Sequence, residues 1–522
     1  FDTDDLRLHA SASHGIAALG LDLSSLDTDG FRHNEFLNRR AGAASLRLQP
    51  HARLEMTLRA AHHEDRYGLP GPLPAAVLDA TTRARRQTNS PLDRGWTEDD
   101  RYSVQVRLDG QQYGETTVRG TYRDRGNPFY IGFNPVGTRA DQLNRIDSYA
   151  RTAELEHRLP FSFAGQDHEL LLGAALNDAD YLRRENGAAV PGSSFRRAGR
   201  VHDRGYFALL NAAAPFDLRF TLGYRHDVFK SAQNDRTLRR ACDIVFVPRT
   251  IFIESPFGGP PIPIVQQVPV ERNCVTAFAL NEERAGTTHS DAYNAGLTWQ
   301  PRDWLTLYVN VDRNFRNPNL DEFLQASATL GRQRGRGYDA GVRLRPSARV
   351  EFSLAGFMQD IEDEIFYGLD AQGQTLNFNL DGTTRRRGGE AELRLWPLDS
   401  LALRASVGYV RPRLDGADLP LVPRVTLNAG GEWSMTDWAD LALSVSHVGR
   451  HSDGNDSERS PYPRLPAYTL CNLRVRVHRG RYEAFAGINN LFDEIYSTIA
   501  YSNTVYPMPE RHAYAGVRID FL

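Results

Sequence analysis

Five arginines crowd one connection of the chain: Arg313, Arg316, Arg332, Arg334 and Arg336. The guanidinium is the side chain for holding an anion, because it gives charge-assisted and often bidentate hydrogen bonds. No catalytic grouping accompanies them. The sequence has no nucleophile elbow, no HExxH, no phosphate-binding glycine loop and no CxxC. His62 and His63 are adjacent, and strand-end polarity is the preferred reading over a metal pair. The run "DGNDSE" (453–458) is rich in carboxylates but lacks the spacing and distal Glu of a calcium loop, so it reads as a solvated loop. Neither an enzyme, a metal nor a cofactor is expected.

Cys242 and Cys274 flank one long connection, and Cys471 falls in a strand-like run. A loop disulfide between the first two suits an oxidising compartment; two unpaired thiols are the alternative. The 229–288 connection between the flanking strands carries the apolar run "FVPRTIFIESPFGGPPIPIVQQVPV" (246–270). It is expected as a hairpin or lid, held by its prolines to an irregular or edge-strand form.

The elements that position these residues are strands. In "NLRVRVHRG" (472–480), Leu473, Val475 and Val477 leave one face while Arg474, Arg476 and His478 leave the other. The same period of two runs through "RLEMTLRA", "RYSVQVRL", "DLRFTLGYR", "LALRASVGY" and "HAYAGVRIDF". Connections alternate between tight ones, such as 214–217, 345–349 and 478–481, and long ones, such as 65–97, 314–335 and 493–509. Trp299, Trp304, Trp396, Trp433 and Trp438 lie beside tight turns; Trp96 alone does not. Amphipathic rings gather where hydrocarbon meets water.

These features point to an all-β chain: one large antiparallel transmembrane β-barrel, with short periplasmic turns and long extracellular loops. About 21 strand-like runs are visible, and the nearest even number, 22, is the size of plugged transporters. In that reading, Arg474 and Arg476 line a wet lumen and the valines face acyl chains. No apolar run approaches the roughly 18 residues of a spanning helix. The formal net charge of -3 gives no case for nucleic acid, and Lys230 is the single lysine. With no linker or break in composition, residues 1–522 are expected to form one domain.

The C-terminal part resembles the TonB-dependent outer-membrane receptor family. The resemblance rests on "YEAFAGINNLFDEIYS" (482–497), with Asn490, Leu491, Phe492, Asp493 and Tyr496, and on the closing strand that ends with Phe521. Weaker matches are the Phe-Arg-x-Pro step in 292–323, "NLDGTTRRRGGEAEL" (379–393), and "DTDGFRHNEF" and "YGLPGPLP" near the start. Asn490 and Asp493 are expected to organise a strand end and turn, and Pro318 and Pro423 to set strand starts. The resemblance implies a Gram-negative outer membrane, contact with lipid and lipopolysaccharide, and a TonB-type energy-transducing complex. It also implies a scarce extracellular solute, most commonly a ferric siderophore or other iron chelate, taken up by a monomer. Cobalamin, another organic cofactor or a passive porin-like channel are the alternatives. The five arginines would then hold an anionic chelate, with lumen hydration and lipopolysaccharide contact as the competing role. The family's plug and energy-coupling segment are expected upstream of Phe1. "LGRQRGRGYDAG" (330–341) stands where the family has a Pro-Glu segment, and Phe521 is followed by Leu522.

Overall fold

A computed structural model describes residues 2–131, 142–187, 194–253, 262–324, 326, 330–369, 375–414, 417–454 and 464–521. The fold is an antiparallel β-barrel whose wall is one 22-stranded sheet. One member, Ala417–Asp418, is a two-residue addition to the upper end of Leu401–Leu414, which leaves twenty-one long staves. Each stave pairs antiparallel with the next in the chain, from Thr3–His14 to His512–Ile519. Staves joined by tight turns need only local contacts to find their register, which is how a hairpin-by-hairpin wall this wide specifies itself.

The register separates two faces. Along one rung Gly431, Leu443, Leu473, Ile488 and Ala513 stand on the same side. One step along, Glu432, Ala442, Arg474 and Gly487 stand on the other. The polar face is laced with ion pairs: Arg476–Asp440 at 2.7 Å, Arg119–Glu154 at 2.9 Å, and Arg47–Glu55 at 2.8 Å. A wet lumen tolerates such charges; hydrocarbon does not. The aliphatic face is the outside. Trp299 and Trp433 mark its short-turn end. Tyrosines mark the other end: Tyr102 beside Tyr122 (ring centroids 6.4 Å apart) and Tyr224 beside Tyr293 (5.3 Å). Tyr338 and Tyr409 lie at similar depth on the outward side.

The loops show how the sheet curls. Leu73–Pro74, in the loop after Leu54–Gly68, pairs with Thr504–Pro507, in the loop after Tyr482–Asn489. Those staves lie near opposite ends of the sheet, so a shared loop sheet requires its ends to approach. Leu465, Ala500 and Val505 form a small buried core there against Ala75, Val77 and Leu78. Arg85 of the helix Thr82–Arg85 pairs with Glu510, and the side chains are 6% and 17% exposed. With an odd number of staves, both edge strands run the same way, and among the described residues each pairs with one neighbour.

The long connection at 229–288 is a continuation of its two strands. Leu218–Ile253 and Ile262–Arg302 stay paired from Leu218↔Trp299 to Ile253↔Ile262, with register shifts between Asp235 and Arg236 and between Ala241 and Asp243. Beyond Thr237 the neighbouring stave Phe195–Ala214 no longer follows. A two-stranded ribbon of roughly 50 Å, at about 3.4 Å per residue, therefore extends past the wall. Each ribbon strand has one edge without a ladder partner, the edge-strand setting in which prolines such as Pro248 and Pro269 are tolerated. A disulfide joins Cys242 to Cys274 across the ribbon. It serves as a staple in a form that is marginal when unsupported.

Candidate functional site

The lumenal wall carries a recess of about 600 Å³ where residues 317–324 fold inward. Pro318 was expected to open a strand; instead it precedes a short helix, Leu320–Leu324. The local reason is a capping box: Asn319 Oδ1 accepts from Glu322 N–H, and Glu322 Oε2 accepts from Asn319 N–H, both at 2.8 Å. Arg316 holds the same carboxylate bidentately at 2.6 and 2.7 Å. Burial alone would raise the Glu322 carboxyl. The Arg316 and Asn319 hydrogen bonds outweigh it and hold Glu322 below the ordinary carboxylate range.

The helix lies on the wall through Phe323 stacked on Phe229 (6.1 Å) and Leu320 over Gly199. A Cβ at Gly199 would come within 2.9 Å of Leu320, so the glycine makes room for the helix. Tyr181 donates to Asp321 at 2.7 Å from the wall side. Beneath and beside the helix, Asn177, Asp203, Arg225, Asp227 and Asn314 line the recess. Asp227 is 2% exposed and takes two hydrogen bonds from Arg225, at 2.8 and 2.9 Å. Asp203 Oδ1 is buried with no hydrogen-bond partner among the described residues. The chemistry on offer is amide and carboxylate acceptors beside a neutralised arginine, suited to a ligand rich in N–H and O–H groups.

The depressed Glu322 carboxyl sets a pH dependence. Its folded value lies below the unfolded one, so its stabilisation is present above the ordinary Glu range and is lost as pH falls through the lower folded value. A cysteine placed at Leu320 is expected to be shielded from a water-soluble thiol reagent at neutral pH. It should become labelled faster only below about pH 4, the ordinary Glu value being about 4.3. A labelling rate that does not change down to pH 3 would disprove the clasp.

The five candidate arginines do not converge on the recess. Arg316 clasps the inward helix, and Arg332 donates to Ser290 Oγ at 2.9 Å and to the His289 carbonyl. Arg334 pairs with Asp363 at 2.6 Å. Arg313 lies opposite Tyr293 and Arg336, and Arg336 shares the face of Tyr338, so both point outward. His62 and His63 also divide between faces, each held by its own carboxylate, Asp100 (2.9 Å) and Asp65 (2.8 Å). In "DGNDSE", residues 455–458 lie outside the described residues, but Asp453 is not solvated. It is 2% exposed and accepts from the Ser502 and Asn503 N–H groups at 2.8 and 3.0 Å.

Asn490 is buried with φ of 52°, and its side chain bonds to the Glu494 N–H and carbonyl, each at 2.8 Å. Leu491 N–H bonds to the Cys471 carbonyl, and Asp493 accepts from Arg511 N–H at 2.8 Å. Tyr496 packs on Tyr468 (4.7 Å), while Phe492 and Phe521 are exposed. Sequence reasoning missed Asp203 and Asp227, whose only local signal is an acidic residue on the polar face of a strand.

Residues 43–491 match the family described as TonB dependent receptor-like, beta-barrel. Among solved structures, the ferric-catecholate import receptor Fiu from E. coli K12 is similar at 14% identity and TM-score 0.77. That match covers 99% of this chain and 80% of Fiu. The ferric yersiniabactin uptake receptor FyuA from Yersinia pestis is similar at 15% identity and TM-score 0.77, over 100% and 78%. The ferric citrate transporter FecA is similar at 16% and 0.76, over 99% and 75%. At these identities the structural likeness speaks for the fold, and the family follows from the match over most of the chain. The chain belongs to the TonB-dependent receptors, as their β-barrel, and its place is the outer membrane of a Gram-negative bacterium.

Proposed function

We propose that this barrel serves active uptake of a bulky iron chelate, energised by a TonB-type complex, and works as a monomer. The observation that carries the reading is the lumenal recess, where Asn177, Asp203 and Asn314 face the solute path beneath an inward-folded helix. A recess of about 600 Å³ is the size that holds a drug-sized ligand. The import and uptake receptors with the same fold take ferric chelates, which supports the solute class. Arg316 and Arg332 act in this reading as tethers beside the recess, Arg316 through Glu322 and Arg332 through Ser290 and the His289 carbonyl, while the recess itself takes the N–H and O–H groups of the chelate.

The experiment is uptake of radioactive iron as ferric chelates, in cells whose only outer-membrane receptor is the full gene product. Uptake should saturate at low concentration, fall when the proton-motive force is collapsed, and drop at least tenfold in affinity with Asp203→Ala. Flux that is linear, limited only by solute size and indifferent to energy would identify a passive channel instead. Saturable uptake of cobalamin or an organic cofactor, without iron, would keep the transport class and replace the solute.

A further inference from the structure

The pairing of the ribbon is broken at its staple. Ala241 stands opposite Val275 and Asp243 opposite Arg272, so Cys242 alone faces two residues, Asn273 and Cys274. Two residues against one is a β-bulge, a device that re-aims side chains and is common beside functional sites. Asn273 carries the turn of the bulge with φ of 51°, a left-handed value that asparagine takes more readily than most residues. Its side-chain amide donates to Asp243 at 3.1 Å and fixes the bulge across the ribbon. On a regular strand Cys274 and Glu271, three apart, would leave opposite faces. Across the bulge the alternation reverses: Glu271 lies opposite Ile244, two residues from Cys242, and so shares the face of Cys242. Glu271 Oε2 is 3.4 Å from Cys242 Sγ and 4.0 Å from Cys274 Sγ. One donor atom from each of the three residues lies within 4.8 Å of the other two.

Reduction changes what these atoms can do. A sulfur in a disulfide has no proton to give the carboxylate and holds metals poorly, whereas a thiolate is a strong metal ligand. Two thiolates and a carboxylate are donors that zinc takes, and zinc is found with three protein ligands and a water in the fourth position. The sulfurs select against calcium and magnesium, which bind through oxygen. Glu271 is exposed, so a cation reaches the group from solvent.

We propose that Cys242, Cys274 and Glu271 form a zinc site once a small thiol in the medium has reduced the disulfide. Two thiol molecules give their protons and electrons to the S–S bond, which opens into two cysteine thiols, and the reductant leaves as its own disulfide. Zinc then displaces both cysteine protons into solvent. The metal takes over the role of the covalent staple. The two strands stay joined at the bulge in either redox state, in a form that is marginal without such support. The site belongs to the ribbon and is independent of the transported solute.

The test uses the purified protein in detergent with Cys471→Ala, which leaves Cys242 and Cys274 as its two cysteines. After reduction with a phosphine, which adds no competing thiol, cobalt(II) is titrated in as a coloured stand-in and then displaced by zinc. A sulfur-to-cobalt charge-transfer band should saturate at one equivalent per chain and vanish when zinc is added, and the oxidised protein should show no band. Glu271→Gln should weaken cobalt binding at least tenfold. Glu283→Gln, on the same strand below the bulge, should leave it unchanged. Trypsin reads the staple: cleavage after Arg249 and Arg272 should speed up at least tenfold on reduction and return to the oxidised rate with zinc. Absence of the band after reduction, or undiminished affinity in Glu271→Gln, would overturn the site. Zinc that binds the reduced protein without slowing trypsin would overturn its role as a staple.

Discussion

Leu443→Arg is expected to destabilise the inserted barrel by about 2–4 kcal/mol, the depth-dependent cost of an arginine facing lipid near the bilayer midplane. Leu443 is outward, 43% exposed, and flanked on its rung by Gly431 and Leu473. The adjacent Ser444 faces the opposite way, between Gly430 and Asn472. Ser444→Arg should therefore change stability by much less, since lumenal positions are hydrated. Reversible urea unfolding in lipid vesicles, followed by tryptophan fluorescence, reads both variants. A pair of equal shifts would mean that the two faces meet the same medium.

Glu510→Ala is expected to free the loop sheet that draws the ends of the wall together. Arg85 is nearly buried, and Glu510 answers its charge, with Nε to Oε1 at 2.8 Å. Removing one partner of a buried pair leaves an uncompensated charge and costs about 3–5 kcal/mol. The cost falls on the clasp: the Ala75 N–H bonded to the Asn503 carbonyl, and the strands Leu73–Pro74 and Thr504–Pro507. Hydrogen exchange at these amides should speed up by roughly two to three orders of magnitude, at 1.4 kcal/mol per decade, while amides of the wall change little. Exchange that stays slow in the variant would show that the loops are held by their small apolar core instead.

The wall was legible because its cause is local. Alternation in "NLRVRVHRG" reports two media, and the tight turns at 214–217 and 478–481 report hairpins. The short helix has a local signal as well, the capping-box spacing of Asn319 and Glu322, which went unread because Pro318 pointed to a strand start. What escaped depends on register or on distance along the chain. The tyrosines at the upper rim lie far apart in sequence, and pairing alone brings them to one level. Whether Arg313 and Arg336 face lumen or lipid turns on one residue of register, since a single step reverses the face. Arg85 and Glu510 are 425 residues apart, and no local pattern announces such a pair. The recess was unreadable for the same reason: Asp203, Asp227 and Asn314 come from three strands, and the helix that covers them from a loop.

Spin labels placed singly from Ala439 to Val448, with Cys471→Ala as background, measure which medium each side chain meets. Collision rates with oxygen, which partitions into hydrocarbon, and with a water-soluble nickel chelate are compared in vesicles. Leu441, Leu443 and Val445 should favour oxygen, and Ala442, Ser444 and Ser446 the chelate, alternating residue by residue. A flat profile, or one with the aliphatic positions on the aqueous side, would contradict a lipid-coated cylinder with a polar interior.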